Sequence, residues 1–414
     1  MKQLLLFSFF LSVVKGSEQY GIPKKKSFRA DPSFLISLSQ FAFLAMVCNI
    51  MCSCSKDDEN LVEYPVNPIT NFTYPTAEWQ EAKVVLVHEP GNELSSAQGR
   101  NKSFDVKKMR DEWITLTDIL RKNGVQVFEV TDVLMKLPIN QIRDVAEKMS
   151  YGRLDNLNKE QLIRHIIETP PMKALYYTRD QSIITPRGTI IGKMNLSHRQ
   201  FEPDLIELCY HFLGGNIYYR VHGEGARLEG GDYFPFGTLS IIGEGQRTNR
   251  EAIEELLAAD SFGHDTVVVV KDALRNTYQM HLDTYFNIID YNLVILSQER
   301  LNAEIGDKHY LCADIFARSP ESKEYQLYKT NVHFVDFLKD RNVHIIPVIG
   351  ADLDKLATNF LCLSPRHIIG REGLSEGFKK KMEENGVKVD YLKLDELAEG
   401  DGLVHCMTQV IGRN

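Results

Sequence analysis

From Glu81 onward, short runs of β-branched and aliphatic residues alternate with stretches whose apolar positions recur at helical spacing. That alternation is the mark of an α/β chain. Strands are predicted at Val84–Val87, Val125–Val130, Ile184–Ile191, Leu239–Ile242, Val267–Val270, Leu293–Leu296, Val343–Val348 and Val387–Leu392. Helices are predicted over Asp105–Lys122, Arg199–Leu213, Arg250–Ala259, Glu324–Leu338 and Ser375–Glu384. One junction occurs twice. Arg121-Lys122-Asn123-Gly124-Val125-Gln126-Val127 and Glu383-Glu384-Asn385-Gly386-Val387-Lys388-Val389 each close a helix with Asn-Gly and turn into an alternating strand. Asn-Gly supplies the left-handed cap and Val-x-Val the period of two. The echo points to repeated ββα-type modules rather than one doubly wound sheet. The segment Leu134–Thr169 interrupts the alternation with helical patterns and no strand, so residues 134–169 read as a helical insertion.

Ahead of this body lie two apolar runs, Leu4–Val14 after Met1-Lys2 and Phe34–Met51 after Lys24-Lys25-Lys26. A basic flank followed by an apolar run is the pattern of an export signal. The second run closes on Met51-Cys52-Ser53-Cys54-Ser55-Lys56, which looks like a bacterial lipoprotein signal with Cys54 as the lipidated residue. An uncleaved membrane anchor is the competing reading, because roughly 18 apolar residues can span a bilayer. Residues 1–54 are therefore expected to be a targeting segment. Residues 55–80, polar and carrying Pro65, Pro68 and Pro75, are expected to be a tether. A catalytic domain is expected over 81–414. The expected location is outside the cytoplasm, on a bacterial membrane.

Composition narrows the function. The 414 residues carry 48 basic and 56 acidic side chains, a net charge of −8, with 43% hydrophobic residues. This is globular composition with no basic block, which argues against nucleic acid as a partner. The body cysteines Cys209, Cys312, Cys362 and Cys406 are scattered singly, with neither zinc-site nor disulfide-framework spacing. Most are expected to be buried small hydrophobes.

Candidate chemistry sits in five places. Glu229-Gly230-Gly231-Asp232 joins paired glycines, which allow close backbone approach, to two carboxylates suited to a cation. In Met280-His281-Leu282-Asp283-Thr284, a strand would put His281 and Asp283 on one face, pairing a base with a carboxylate. Tyr177-Thr178-Arg179-Asp180-Gln181 offers a turn aspartate, and Met194 to Glu202, containing Arg199, opens a helix. In Arg247-Thr248-Asn249-Arg250-Glu251 a capping box from Thr248 to Glu251 would leave Arg247 at the positive end of a helix, favouring an anion. Cys406 follows the glycine-bearing loop Glu399-Gly400-Asp401-Gly402, where a loop would expose it as a nucleophile.

The order and combination of these motifs, from Val84-Val85-Leu86-Val87-His88-Glu89-Pro90-Gly91 through Cys406 to Arg413, resemble the arginine deiminases of the guanidine-modifying (amidinotransferase-like) superfamily. The resemblance implies a five-bladed α/β propeller, the pentein fold, with the site in its central channel. It implies that Asp180 and Asp283 grip a guanidinium and that Cys406 attacks the guanidinium carbon. His281, held by Glu229, would move protons, and Arg199 and Arg247 would bind a substrate carboxylate. Asp232 and Tyr177 would complete the substrate site. No metal or organic cofactor is implied, and the expected partner is a small guanidino compound, L-arginine first.

Two positions depart from the family pattern. Ala174 stands where arginine-specific members carry asparagine, and Asp401-Gly402-Leu403 lacks the arginine that they place before the cysteine. His405-Cys406-Met407-Thr408-Gln409 is also similar to the terminal motif of agmatine deiminases. Amidino transfer, another guanidino substrate, and a tethered guanidinium-binding protein without turnover stay open as alternatives.

Overall fold

The structure, a computed structural model, describes Ile69 and residues 73–95, 97, 102–149, 154–169 and 174–414. The expected leader, the lipidation candidate Cys54 and most of the expected tether lie outside the described residues. Among the described residues, no helix is long and apolar enough to cross a membrane.

The strands form five separate sheets that share one pairing rule. In the first, β1 (Ala82–Val87) pairs in parallel with β2 (Gln126–Glu129) and antiparallel with the last strand, β17 (Gln409–Arg413). In the second, β4 (Gly188–Ile191) pairs antiparallel with β3 (Ser182–Thr185) and in parallel with β5 (Ile217–Arg220). The third places β7 (Leu239–Glu244) between antiparallel β6 (Tyr233–Phe236) and parallel β8 (Thr266–Lys271). The fourth centres β10 (Leu293–Ser297) between antiparallel β9 (Phe286–Asp290) and parallel β13 (His344–Val348). The hairpin β11 (Cys312–Arg318) and β12 (Tyr325–His333) extends the third sheet through β8. The fifth centres β15 (His367–Arg371) between antiparallel β14 (Leu361–Ser364) and parallel β16 (Lys388–Leu392). Each parallel pair needs a crossover, and helices supply it.

The repeated Asn-Gly junction is built as its residues dictate. Helix Val106–Lys122 starts at Asp105, whose side chain accepts from the Lys108 N–H, and buries Met109, Trp113, Leu116 and Leu120 on one face. Each such side chain contributes roughly 1.5–3 kcal/mol when fully buried. The helix ends at Asn123, after which Gly124 takes φ +77° and Val125 N–H returns to the Leu120 carbonyl. Helix Glu376–Glu384 repeats the device, with Ser375 as its cap, Gly386 at φ +66°, and Val387 N–H on the Met382 carbonyl. Positive φ is the reason for glycine at both turns.

Several expectations need correction. The stretch Glu324–Leu338 is not one helix. β12 runs to His333, and a helix covers only Phe334–Lys339. Most of β12 is exposed at a sheet edge, so no buried face imposes strand alternation on its sequence. Ile184–Ile191 is a hairpin of two strands rather than one. The helix expected from Thr248 begins at Arg250, capped by Asn249, whose Oδ1 accepts from Ala252 N–H. Thr248 Oγ1 instead receives the Glu229 N–H at 3.1 Å.

The domain also begins ahead of Glu81, since the described residues 73–80 pack into it. Ala77 bridges Phe236, and Glu78 N–H bonds the Pro235 carbonyl at 2.9 Å. The Glu78 side chain is buried against Arg413, 2.5 Å away, with Arg179 at 3.7 Å. This part of the expected tether is core.

Candidate active site

The residues immediately before the first antiparallel strand of each sheet converge. Asp180 precedes β3, Glu229 to Asp232 precede β6, His281 and Asp283 precede β9, Asn359 precedes β14, and Cys406 precedes β17. Backbone bonds stitch these turns to one another. Arg179 N–H reaches the Cys406 carbonyl at 3.0 Å, Gly230 N–H the Asp180 carbonyl at 2.9 Å, and His405 N–H the Asn359 carbonyl at 3.2 Å. Asp232 Oδ1 accepts the Leu282 N–H at 2.8 Å, tying the third turn to the fourth.

Local geometry explains the residue types. His281 and Asp283 do not start a strand. They flank Leu282 at a 3₁₀ turn, with β9 beginning at Phe286. A Cβ on Gly230 would lie 2.0 Å from the Arg179 carbonyl oxygen, and one on Gly231 would lie 2.8 Å from His281 ring atoms. The paired glycines therefore let two turns and an imidazole close on each other. Cys406 is not exposed by its loop; it is 4% accessible.

The polar groups make two linked sets. His281 Nε2 is 2.8 Å from Glu229 Oε2, while its Nδ1 faces Asp180 Oδ1 at 3.9 Å. Cys406 Sγ lies 3.4 Å from Asp283 Oδ2, which also accepts from His405 Nδ1 at 2.8 Å. Asn359 Nδ2 donates to the same sulfur at 3.1 Å. Asp180 Oδ1 and Asp283 Oδ1 are buried and have no hydrogen-bond partner among the described residues. Tyr177 is buried beside the cysteine turn, where a Cβ on Gly402 would meet its ring at 2.6 Å and the Cys406 Cβ at 3.1 Å.

Both arginines expected at a substrate carboxylate are engaged within the protein. Arg199 donates to Asp180 at 2.7 Å and to Glu202 at 2.8 Å, and all three side chains are buried. Arg247 donates to Glu229 at 3.1 Å and to the Met280 sulfur at 3.0 Å. Their contacts make them counter-ions of the acidic residues.

Charge follows this pairing. Burial would push the His281 imidazolium down, but Asp180, Glu229 and Asp232 overcome it and raise the pKa, so His281 is protonated at neutral pH. Burial would raise Glu229, and His281 with the two arginines lowers it instead. Burial lifts Asp232 to about 7. Burial, then Asp283 and Asp180, push the Cys406 thiol well above its usual value, with Asn359 opposing them. Asp180, Glu229 and His281 bring ligand-type atoms within 4.8 Å of one another. Arg199 and Arg247 already supply positive charge there, which disfavours an added metal cation.

Sequence reading missed Asn359 and Glu78, and it gave no partner to Glu202, which holds Arg199, or to His405, which holds Asp283. Asn359 belongs to no motif and its signal is purely positional, just ahead of a first strand. Glu78 lay hidden in a proline-bearing polar stretch.

The fold is similar to the N-terminal domain of ArgZ, described as an arginine dihydrolase from cyanobacteria and solved with product (TM-score 0.55, 14% identity, 80% of this chain and 98% of that one). It is also similar to the DDAH of Pseudomonas aeruginosa solved with citrulline (TM-score 0.51, 17% identity, 81% and 100%). The class is the mixed α/β pentein fold. In sequence, the arginine deiminase family matches residues 139–413. Among curated relatives, an arginine deiminase of Borreliella afzelii is 25% identical over 424 aligned positions, covering 85% of this chain and 99% of that protein. One of Halobacterium salinarum is 25% identical over 322, covering 59% and 65%. The chain belongs to the arginine deiminase family, and it is a hydrolytic enzyme acting on amidines.

Proposed function

We propose that the chain hydrolyses L-arginine to citrulline and ammonia, in a five-bladed propeller whose modules each deliver one turn to a central site. The observation that carries this reading is a pair of buried carboxylate oxygens, Asp180 Oδ1 and Asp283 Oδ1, that have no hydrogen-bond partner among the described residues, with the other Asp283 oxygen 3.4 Å from the Cys406 sulfur. A guanidinium presents paired N–H donors that match such oxygens, and charge-assisted bonds of this kind are strong. Its positive charge would offset the two aspartates that hold Cys406 in the thiol form, so substrate binding itself promotes the thiolate.

The steps follow from the proton positions. With the guanidinium bound, Cys406 loses its proton to solvent and the thiolate forms a bond to the guanidinium carbon; His281 then gives its proton to the departing nitrogen, which leaves as ammonia. The carbon is then held as an amidino thioether. His281, now neutral and oriented through Nε2 by Glu229, takes a proton from water as that water attacks the carbon. The carbon–sulfur bond breaks, and the ureido product leaves with the thiol restored.

A second reading, a guanidine lacking a carboxylate such as agmatine, is favoured by one observation. Arg199 and Arg247 already face internal carboxylates, in line with the resemblance, on which Ala174 and the stretch Asp401-Gly402-Leu403 lack the asparagine and arginine of arginine-specific members. Comparing ammonia release from arginine and agmatine decides between them. Arginine should be turned over roughly 10- to 100-fold better if these arginines bind a carboxylate. Agmatine matching or exceeding arginine would overturn arginine as substrate. Adding glycine tests amidino transfer, since amidinated glycine without ammonia would contradict hydrolysis. Export and lipid anchoring through Cys54 form part of this proposal. They are motivated by the uncharged run Phe34–Met51 and rest on no described residue.

A further inference from the structure

We propose that Asn359 is the thiolate-holding residue of this enzyme: its amide clamps the Leu403–Cys406 turn through Oδ1 and presents Nδ2–H to the attacking sulfur. The inference rests on Cys406 being the nucleophile, and it adds a group that no motif in the sequence marks.

The orientation of the amide is fixed by its surroundings. Oδ1 accepts the Leu403 N–H at 2.9 Å and the Cys406 N–H at 3.2 Å. Both partners are donors only, so the flipped amide would set NH₂ against two N–H groups. The other end must then be Nδ2, and it lies 3.1 Å from Sγ. The Asn359 carbonyl closes the arrangement by accepting the His405 N–H at 3.2 Å. Asn359 is fully buried and precedes β14, so the sheet holds the amide while the amide holds the turn.

The sulfur's two side-chain contacts do opposite things on deprotonation. As a thiol, Cys406 donates to Asp283 Oδ2 at 3.4 Å. As a thiolate, it faces that same carboxylate as a like charge, with Asp180 adding to the repulsion. His405 satisfies Asp283 from the other side, and the Arg179 guanidinium is near enough to interact electrostatically with the sulfur. Asn359 is the side chain, among those described, that donates to sulfur in either state. A neutral donor to a buried anion stabilises it without adding a charge that substrate binding would have to offset.

The test separates clamp from donor. Asn359→Asp keeps an oxygen for the two backbone N–H groups but replaces the donor to sulfur with a second oxygen. Asn359→Ser shortens the side chain and removes the amide without adding charge. Each variant and the wild type are alkylated with iodoacetamide across a pH series without substrate, and modification of Cys406 alone is followed by peptide mass spectrometry. This reads the thiol directly, so it stays informative even if arginine proves not to be the substrate.

The expected result is an upward move of the alkylation midpoint by about one to two pH units, matching a roughly 10- to 100-fold loss of thiolate, larger in Asn359→Asp than in Asn359→Ser. The same variants should lose kcat more than they raise KM. A midpoint unchanged in the folded variants, even with a lower melting temperature, would reduce Asn359 to a structural clamp and overturn the proposal. If Asn359→Asp does not fold, the midpoint of Asn359→Ser decides alone.

Discussion

Replacing Glu78 by glutamine removes one carboxylate charge from beneath the site and leaves the shape nearly unchanged. In the native chain this carboxylate is 2.5 Å from Arg413 Nη2, 3.7 Å from Arg179 Nη2 and 3.7 Å from His405 Nε2, and all four side chains are buried. Burial alone would raise its pKa, but the two arginines win and carry it from 4.5 to about 2. At about 1.4 kcal/mol per pH unit, that difference amounts to ~3 kcal/mol of stability at neutral pH. Removing one member of a buried ion pair gives a similar figure, about 3–5 kcal/mol, because the arginines stay behind uncompensated. Urea unfolding followed by circular dichroism should show a loss of this size in Glu78→Gln at pH 7. The folded pKa is depressed, so the contribution is complete above the unfolded value of 4.5 and is lost as pH falls through about 2. Wild type and variant should therefore converge over that acid window. A variant within 1 kcal/mol of wild type at pH 7, or a difference that does not shrink in acid, would refute the ion-pair argument and the inclusion of residues 73–80 in the domain.

A chain starting at Glu81 lacks Glu78 and the Ala77 bridge, and its yield of folded protein should fall well below that of a chain starting at Tyr64; equal melting curves would contradict this. Gly231→Ala drives a methyl group to within 2.8 Å of the His281 ring, so kcat should fall about 100-fold or more, while an unchanged kcat would mean that the imidazole need not hold its position. Cys54→Ala should release activity from the membrane fraction of native cells without reducing it, and activity found only in the soluble cytoplasm of the wild type would sink the lipoprotein reading.

How far the sequence could be read depended on what each residue was packed against. Buried central strands such as β8, with its run of valines, announce themselves. The Asn-Gly turns at 123–124 and 385–386 did so as well, because positive φ leaves few choices of residue. The edge strand β12 could not be recognised, since exposure on both faces removes the alternation that marks a strand. The motifs around Asp180, Glu229, His281, Asp283 and Cys406 were legible as a set, yet their burial was not. Cys406 looked like a loop thiol, and the internal partners of the arginines did not show. Both gaps share a cause. A sequence displays charged residues singly, whereas the pairing of Arg199 with Glu202 and Asp180, or of Arg247 with Glu229, exists only after distant turns meet. Asn359 was invisible for the same reason, since its two partners lie in the turn that carries the cysteine.

The central claim is covalent catalysis on a guanidinium by Cys406. Purified protein should be mixed with arginine, quenched in acid within milliseconds to seconds, and digested for mass spectrometry, with released ammonia measured in parallel. An amidino adduct is expected on the Cys406 peptide and on no other cysteine, together with ammonia release that Cys406→Ser abolishes and Cys209→Ser leaves intact. Sustained ammonia release from Cys406→Ser, or an adduct confined to another cysteine, would contradict the account.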